Sequence, residues 1–359
     1  MSIVNKGNVS EGILGCTLVA KFTARQGSVI RNVTPSDVRA VWTKLKGSRI
    51  RNQVKEISEH VYDVNRGAQD TVRITIRLGE QTAKDLFSEK ALDEMSSIVS
   101  SACAYVNSPK MHQEAMEFFM NMVEDKIDIA VDGITKASAT KADIIIKDNS
   151  IVVDRLSVKS GEYSSTIGQV GGDVFPTFVR LFHGGMNPKT GSMEPGLGLN
   201  VNTPSIQHEY ERLRGVTKTK ENLQRATAYI YAQAAYLLAQ VPTSSFVPIL
   251  SKFIAFHAAK HDPSIQIVVL EKIVGGRFEV LDPNLLDNNL KKLSRIRVNN
   301  KNTGAWPILI VYDADMKQPE TRYGDAVLFV VRVHFANTLN KMSNLIEKGP
   351  RLDSLIQVH

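Results

Sequence analysis

The clearest chemical pattern in the sequence is a pair of β-branched runs, 142–147 and 151–160, that carry charged residues where a core strand would be apolar. Asp143 precedes three isoleucines, and Lys159 closes a run that is otherwise mostly apolar or small. Because side chains alternate along a strand, Ser157 shares a face with Lys159. If the two runs pair, a carboxylate, a hydroxyl and an ammonium group come close together.

The turn between the runs determines how they pair. Asn149-Ser150 is typical of a tight turn, so we expect an antiparallel hairpin with arms of similar length. Asp143 then lies at the end of the hairpin that carries the serine and the lysine. Asp154, the nearest other carboxylate, points to the opposite strand face and is not expected to join them.

An aspartate beside a lysine at strand ends suits hydrolysis of phosphodiester bonds. Asp143 can hold a hard divalent cation through oxygen, and Mg²⁺ is preferred where few protein ligands are offered. Lys159 can orient and help deprotonate an attacking water, while the cation neutralises charge that develops on the phosphodiester. We therefore expect Mg²⁺ as cofactor, with Mn²⁺ able to replace it.

The segments KADIIIK, LSVKSG and IGQVGG resemble the PD-(D/E)xK nuclease superfamily, over about residues 8–20 and 127–173. The resemblance implies an α/β fold with a restriction-endonuclease-like mixed β-sheet core flanked by helices. It implies that Asp143 is the aspartate of the pattern and Lys159 its lysine. Gln169 would be the helical glutamine, and Glu11 the upstream helical glutamate. The two carboxylates and the backbone carbonyl of Val158 would bind metal, and the glutamine would position the water or the lysine.

Ser157 departs from the superfamily pattern, which places an aspartate or a glutamate there. Serine is neutral and a poor Mg²⁺ ligand, so the predicted site has one negative charge fewer. We expect Ser157 to hydrogen-bond to a metal-bound water, and Glu11 to replace the missing carboxylate from its helix. The departure leaves an alternative open, a catalytically inactive nucleic-acid-binding or virion-assembly protein that retains the nuclease fold.

Taken singly, the other site residues have ordinary explanations. Glu11 follows a helix start predicted at Asn8 or Ser10, and an acid in the first turn suits the helix dipole. Gln169 suits the surface of a helix equally well. The combination at the expected spacing, and no single residue, favours a DNA endonuclease.

Composition limits the class of protein. The chain has 359 residues, 43% of them hydrophobic and 23% charged, as in ordinary globular proteins. No apolar run approaches the ~20 residues that a bilayer requires, and the N-terminus lacks a signal-peptide layout. We expect a cytoplasmic protein without a membrane partner, or, for a phage-encoded member of the superfamily, one in the host cytoplasm or the virion. Cys16 and Cys103 are too few for a disulfide framework or a metal knuckle.

A net charge of +7 and a pI near 9.2 are compatible with an anionic partner. Basic residues recur in the runs 44–55 and 291–302. The side chains expected to contact backbone phosphates of DNA are Arg49, Arg51, Lys55, Arg295 and Arg297. This pattern does not separate DNA from RNA as the substrate.

Two regions are expected. A nuclease core spans 1–185, and 186–359 adds a helical and β-rich elaboration that grips DNA, extends the sheet or mediates self-association as a homodimer. The stretch 184–203, rich in Gly, Pro and Asn, is the expected boundary. Two further segments, 164–182 and 337–346, have helical patterns.

Overall fold

The computed structural model describes residues 5–26, 29–51, 56–67, 70–88, 91–121, 126–131, 142–161, 166–172, 174–188, 191–259, 265–303, 306–317, 324–335, 339 and 342–356. The chain divides into two compact units. Unit 1 comprises Met1–Ser164, Ser264–Leu281 and Val358–His359, and unit 2 comprises Ser165–Pro263 and Asp282–Gln357.

The described residues form helices α1 (Lys6–Thr23), α2 (Pro35–Gly47), α3 (Glu80–Leu86), α4 (Ala91–Glu94), α5 (Ser96–Val106), α6 (Pro109–Asn121), α7 (Val174–Phe182), α8 (Pro204–Arg214), α9 (Lys220–Leu238), α10 (Thr243–Ala259), α11 (Pro283–Leu290) and α12 (Pro350–Ile356). They form strands β1 (Arg25–Gln26), β2 (Val29–Ile30), β3 (Arg49–Arg51), β4 (Glu56–Gly67), β5 (Asp70–Leu78), β6 (Lys126–Val131), β7 (Ile144–Asp148), β8 (Ile151–Gly161), β9 (Thr166–Gly171), β10 (Gly184–Met186), β11 (Met193–Pro195), β12 (Ile265–Glu271), β13 (Arg277–Leu281), β14 (Ile296–Thr303), β15 (Trp306–Asp313), β16 (Val327–Phe335) and β17 (Met342–Lys348).

Unit 1 is built on a mixed sheet whose described strands lie in the order β13-β12-β8-β7-β6-β5-β4-β3. The β12–β8 and β5–β6 pairs are parallel, and the other neighbours are antiparallel. Helices α1 to α6 belong to the same unit. The expected α/β class, with a large mixed sheet and flanking helices, is therefore confirmed.

The β7–β8 hairpin has the predicted turn. Asn149 and Ser150 adopt φ angles of 41° and 81°, a left-handed geometry that asparagine tolerates better than most residues. The antiparallel register pairs Ile144 with Leu156. This register brings Asp143, one residue before Ile144, level with the residue after Leu156.

Helix α1 is buried along most of its length, and two glycines let it approach its neighbours closely. A Cβ at Gly15 would lie 2.6 Å from Cγ2 of Val131 on β6, and one at Gly12 would lie 2.8 Å from a methyl carbon of Leu86. Such distances are far below van der Waals contact, so only glycine fits without a shift. The close approach fixes the position of α1 against the sheet and α3. It therefore also fixes the position of Glu11, which lies on this helix.

Unit 2 contains an antiparallel sheet with the described order β14-β15-β16-β17-β9. Aromatic side chains fasten helices to it and to each other. Phe253 of α10 packs on Phe329 of β16 with ring centroids 5.7 Å apart, and Phe178 of α7 meets Tyr231 of α9 edge to face at 5.5 Å.

Two helix predictions are wrong. Within 164–182, the residues of β9 form a strand and only α7 is helical, and within 337–346 the residues from Met342 onward belong to β17. β9 and β17 pair with each other in antiparallel register, so each supplies the hydrogen-bond partner of the other. Local periodicity carries no information on a partner so distant in sequence.

The unit division differs from the expected boundary. The stretch 184–203 lies inside unit 2, whereas the chain returns to unit 1 for β12 and β13. The return occurs because β12 pairs in parallel with β8, and β13 then pairs with β12 through a hairpin at Gly275 and Gly276.

Candidate active site

Asp143, Ser157 and Lys159 meet at the open end of the β7–β8 hairpin. Oδ2 of Asp143 accepts hydrogen bonds from the Ser157 hydroxyl at 3.1 Å and from the Val158 backbone N–H at 2.7 Å. Lys159 Nζ lies 3.8 Å from the same carboxylate oxygen. The backbone N–H of Asp143 donates to the carbonyl of Leu156 at 2.8 Å, which continues the ladder and holds the aspartate in place.

The Lys159 ammonium is surrounded by oxygen atoms. Nζ donates to Ser157 Oγ at 2.9 Å and to the carbonyl oxygen of Val158 at 3.2 Å. The side chains of Lys159 and Asp143 retain 27% and 20% of their exposure, so the cluster is open enough to be reached by a solute. The ammonium therefore lies within an oxygen set that could also hold a metal cation.

Glu11 faces this cluster from α1. It is 7% exposed, and burial, followed by the negative charge of Asp143, raises its pKa to about 8, while the positive charge of Lys159 acts in the opposite direction. Its Oε2 atom is buried and receives no hydrogen bond from the described residues. The structure thus brings together four of the predicted site residues, Glu11, Asp143, Ser157 and Lys159.

Gln169 belongs to the other unit. It lies on β9 in unit 2, is exposed, and donates a hydrogen bond to Ser343 Oγ of β17 at 3.0 Å. The prediction of a helical position is wrong because Gln169 pairs with Leu345 in the sheet of unit 2.

Asp154 points away from the cluster, as its position in the strand predicts. It lines a cavity of about 260 Å³ whose walls include Ile146, Phe118 and Glu114. Burial, with Glu114 contributing, raises its pKa to about 6. Asp154 therefore does not replace the carboxylate that Ser157 lacks.

The structure describes some, but not all, of the residues predicted to bind phosphate. Arg49 and Arg51 form part of β3, and Lys55 lies outside the described residues. In unit 2, Arg295 forms an exposed ion pair with Asp315 at 3.1 Å, and Arg297 is exposed on β14.

Polar residues on α1 add to the site and were misread from the sequence. Asn5 caps the helix by accepting from the Gly7 N–H at 3.0 Å, so Asn8 and Ser10 are buried inside the helix. Ser10 donates to Ser160 Oγ at 2.7 Å, which joins α1 directly to β8. The signal was present in the sequence, because Asn8, Ser10 and Glu11 are polar residues next to the apolar run 12–16 of the same helix.

The donor atoms of the cluster suit a hard cation. Within the described ranges no three His, Cys, Asp or Glu residues converge on a metal position. Two carboxylates and a backbone carbonyl are nevertheless the oxygen ligands that Mg²⁺ prefers, and this ion usually keeps several waters. The hydrogen bonds that the Asp143 carboxylate accepts from described residues fall on Oδ2, so Oδ1 remains for a ligand, as does Oε2 of Glu11. These residues fit a hydrated Mg²⁺.

Comparison of the chain with protein-family models, with curated proteins and with solved structures finds no match. Among the described residues, each helix is too short or too polar to span a lipid bilayer. A functional assignment therefore depends on the geometry of the cluster.

Proposed function

We propose that this protein is a Mg²⁺-dependent deoxyribonuclease, an endonuclease of the PD-(D/E)xK type whose unit 1 has a restriction-endonuclease-like core. One observation carries the proposal. Asp143 and Lys159 lie 3.8 Å apart at the ends of adjacent antiparallel strands, with the buried carboxyl of Glu11 facing both. A carboxylate pair beside a lysine supplies both a cation site and a group that can orient and help deprotonate a water molecule.

Asp143 and Glu11 would hold the cation. Mg²⁺, when bound, neutralises charge that develops on the phosphodiester during in-line attack. Burial, and after it the negative charge of Asp143, raises the pKa of Glu11, so the two carboxylates repel each other. A divalent cation would relieve this repulsion, and Mn²⁺ would do so equally well.

Lys159 would orient the attacking water and assist its deprotonation. Its ammonium now donates to Val158 O and Ser157 Oγ. If the Val158 carbonyl is to ligate the cation, the ammonium must leave that oxygen while keeping its bond to Ser157. We propose that Ser157 serves as this anchor, so that Lys159 remains beside the substrate phosphate.

The DNA backbone would be held by basic residues outside the cluster. Arg297 is exposed on β14, and the exposed ion pair of Arg295 with Asp315 can exchange for a phosphate at little cost. Arg49, Arg51 and Lys55 are the corresponding candidates of unit 1.

The proposal is tested by cleavage of supercoiled plasmid with Mg²⁺, Mn²⁺ or EDTA. Wild-type protein should nick or linearise the plasmid in either metal and not in EDTA, and Lys159→Ala should be inactive. Lys110→Ala is the charge-matched control, because Lys110 lies on α6 in an exposed ion pair with Glu114. Equal loss in the two variants would mean that positive charge in general, and not the cluster, sustains activity. A parallel RNA substrate separates a deoxyribonuclease from a ribonuclease.

A second candidate function is favoured by Ser157, which is uncharged where the superfamily carries a carboxylate. In that case the chain is a nucleic-acid-binding or virion-assembly protein that retains the nuclease fold without catalysis. Wild-type protein that is inert with both metals but retards DNA in a gel would establish this alternative.

A further inference from the structure

Asn8 has a buried oxygen atom without a donor. The residue is 1% exposed, and its Nδ2 donates to Oδ2 of Asp85 at 2.7 Å. Gln81 Nε2 donates to the same Asp85 oxygen at 3.0 Å, so Asp85 acts as an acceptor there. The orientation of the Asn8 amide is thereby fixed, with its NH₂ group on Asp85. Oδ1 then points away from Asp85 and receives no hydrogen bond from the described residues.

A second such oxygen lies one turn further along α1. Glu11 is three residues after Asn8, so their side chains are neighbours on the helix surface. Glu11 Oε2 is also buried and without a hydrogen bond from the described residues. A buried acceptor that has lost water without gaining a donor costs free energy, so each of the two oxygens calls for a partner such as an ordered water or an ion.

The position of these two oxygens relates them to the candidate site. Glu11 interacts electrostatically with Asp143 and Lys159, and Ser10 bonds to Ser160 of β8, so this turn of α1 borders the cluster. Mg²⁺ keeps several waters, and each of those waters needs an acceptor.

We infer that Asn8 is a positioning residue for the cation, with Oδ1 accepting a hydrogen bond from the hydration shell of an ion held by Glu11 and Asp143. The inference rests on the proposed function and extends it to a residue outside the superfamily pattern. A neutral amide oxygen on α1 compensates in part for the carboxylate that Ser157 lacks. It does so without adding negative charge beside the carboxyl group of Glu11.

Gln81 provides a matched control for Asn8. Asn8→Ala and Gln81→Ala each remove one amide donor from the same oxygen of Asp85, but only Asn8→Ala also removes the unpartnered oxygen. A purely structural role for Asn8 would affect stability without a specific effect on metal binding.

The experiment measures Mn²⁺ affinity by electron paramagnetic resonance of the free ion, with melting temperatures recorded for each protein. Asn8→Ala should weaken Mn²⁺ binding about 10- to 100-fold, the usual effect of losing an outer-shell partner, whereas Gln81→Ala stays within about twofold of wild type. Equal affinities of the two folded variants would overturn the inference.

If Asn8→Ala does not fold, the inference can be tested on wild-type protein. In wild-type protein, Mg²⁺ titration should shift the side-chain NH₂ resonances of Asn8 more than those of Gln81, and no shift at Asn8 would overturn the inference. Plasmid cleavage distinguishes a failure of the proposed function from a failure of the inference about Asn8. Wild-type protein that neither binds Mn²⁺ nor cleaves contradicts the proposed function and the inference together, whereas metal-dependent cleavage with no role for Asn8 contradicts the inference alone.

Discussion

Lys159 donates a hydrogen bond to Ser157 Oγ across 2.9 Å, so a serine hydroxyl, and not a carboxylate, is the nearest side-chain partner of the ammonium. The Asp143 carboxylate stands further away, at 3.8 Å. The lysine is therefore positioned by a neutral group that itself donates to Asp143. This chain of contacts keeps the ammonium among oxygen atoms that a bound cation would need.

Lys159→Ala should bind Mn²⁺ more tightly than wild type while losing cleavage. Removing a partly exposed positive charge next to the ion relieves repulsion on the order of 1 kcal/mol, or about fivefold in affinity. Loss of the group that handles water should lower the cleavage rate about 10²- to 10⁴-fold. Calorimetric titration with Mn²⁺ checks the first effect and plasmid cleavage the second. Unchanged or weaker binding would show that the lysine does not compete with the cation.

Ser157→Asp should make the stability of the folded protein more dependent on bound metal. Ser157 is fully buried, and a carboxylate there would repel Asp143, so we expect a loss of about 1–2 kcal/mol of stability in EDTA. Mg²⁺ should then raise the melting temperature of the variant by more than it raises that of wild type. Ser157→Asn, similar in size but uncharged, is the control. A variant that Mg²⁺ stabilises no better than this control would contradict the idea that a charge is missing at position 157.

Glu11 should make metal-free stability fall as pH rises. Its pKa is raised to about 8 in the folded protein from 4.5, so between these values the folded state binds a proton that the unfolded state has lost. Stability therefore decreases from about pH 4.5 to pH 8 and then levels off. Glu11→Gln lacks this penalty and should gain up to ~4 kcal/mol over wild type at pH 9, with almost no gain near pH 4.5.

Urea unfolding in EDTA at the two pH values checks the Glu11 prediction. Glu117→Gln, which changes an exposed acid on α6, should show no comparable pH dependence. The same difference between Glu11→Gln and wild type at both pH values would mean that Glu11 is not buried as a protonated acid.

Gly15→Ala should displace α1. The added Cβ would lie 2.6 Å from a Val131 methyl group on the sheet, and overpacking of this kind costs about 1–3 kcal/mol. Because Glu11 and Asn8 lie on the same helix, Mn²⁺ affinity should fall together with stability. At Gly47 a Cβ would meet no atom within 4 Å, so Gly47→Ala should leave both properties close to wild type. Equal effects of the two substitutions would contradict the close approach of α1 to the sheet.

The hairpin that carries the cluster could be predicted from sequence because its determinants are local. Asn149 and Ser150 tolerate the turn, and alternation places Ser157 and Lys159 on one face. The register then follows from the turn, and Asp143 meets Ser157 where strand counting puts it.

The helix that delivers Glu11 was only partly predictable. Its existence follows from its apolar residues, but Asn8 and Ser10 resemble helix caps in composition. Their burial depends on contacts with Asp85 and Ser160, which lie 77 and 150 residues away in sequence. Local patterns do not report such partners.

Strand β17 is a clearer example of a segment whose structure local sequence patterns do not reveal. All of its residues are buried, including Asn344 and Glu347, so it lacks the alternation that marks a half-buried strand. Two of its polar side chains bond to residues outside the strand: Tyr231 Oη donates to Asn344 at 2.9 Å, and Arg332 donates to Glu347 at 2.7 Å. The error at Gln169 has the same origin, because β9 pairs with this strand.

The parallel pairing of β12 with β8 along Arg155–Gly161 has a consequence for synthesis on the ribosome. The strand that carries Ser157 and Lys159 has β7 on one side, but its other neighbour is translated about a hundred residues later. Until Ile265–Glu271 has left the exit tunnel, β8 is an unprotected edge and Lys159 lacks its flanking strand. The nascent chain would thus acquire its candidate active site late, when most of unit 2 has already been made.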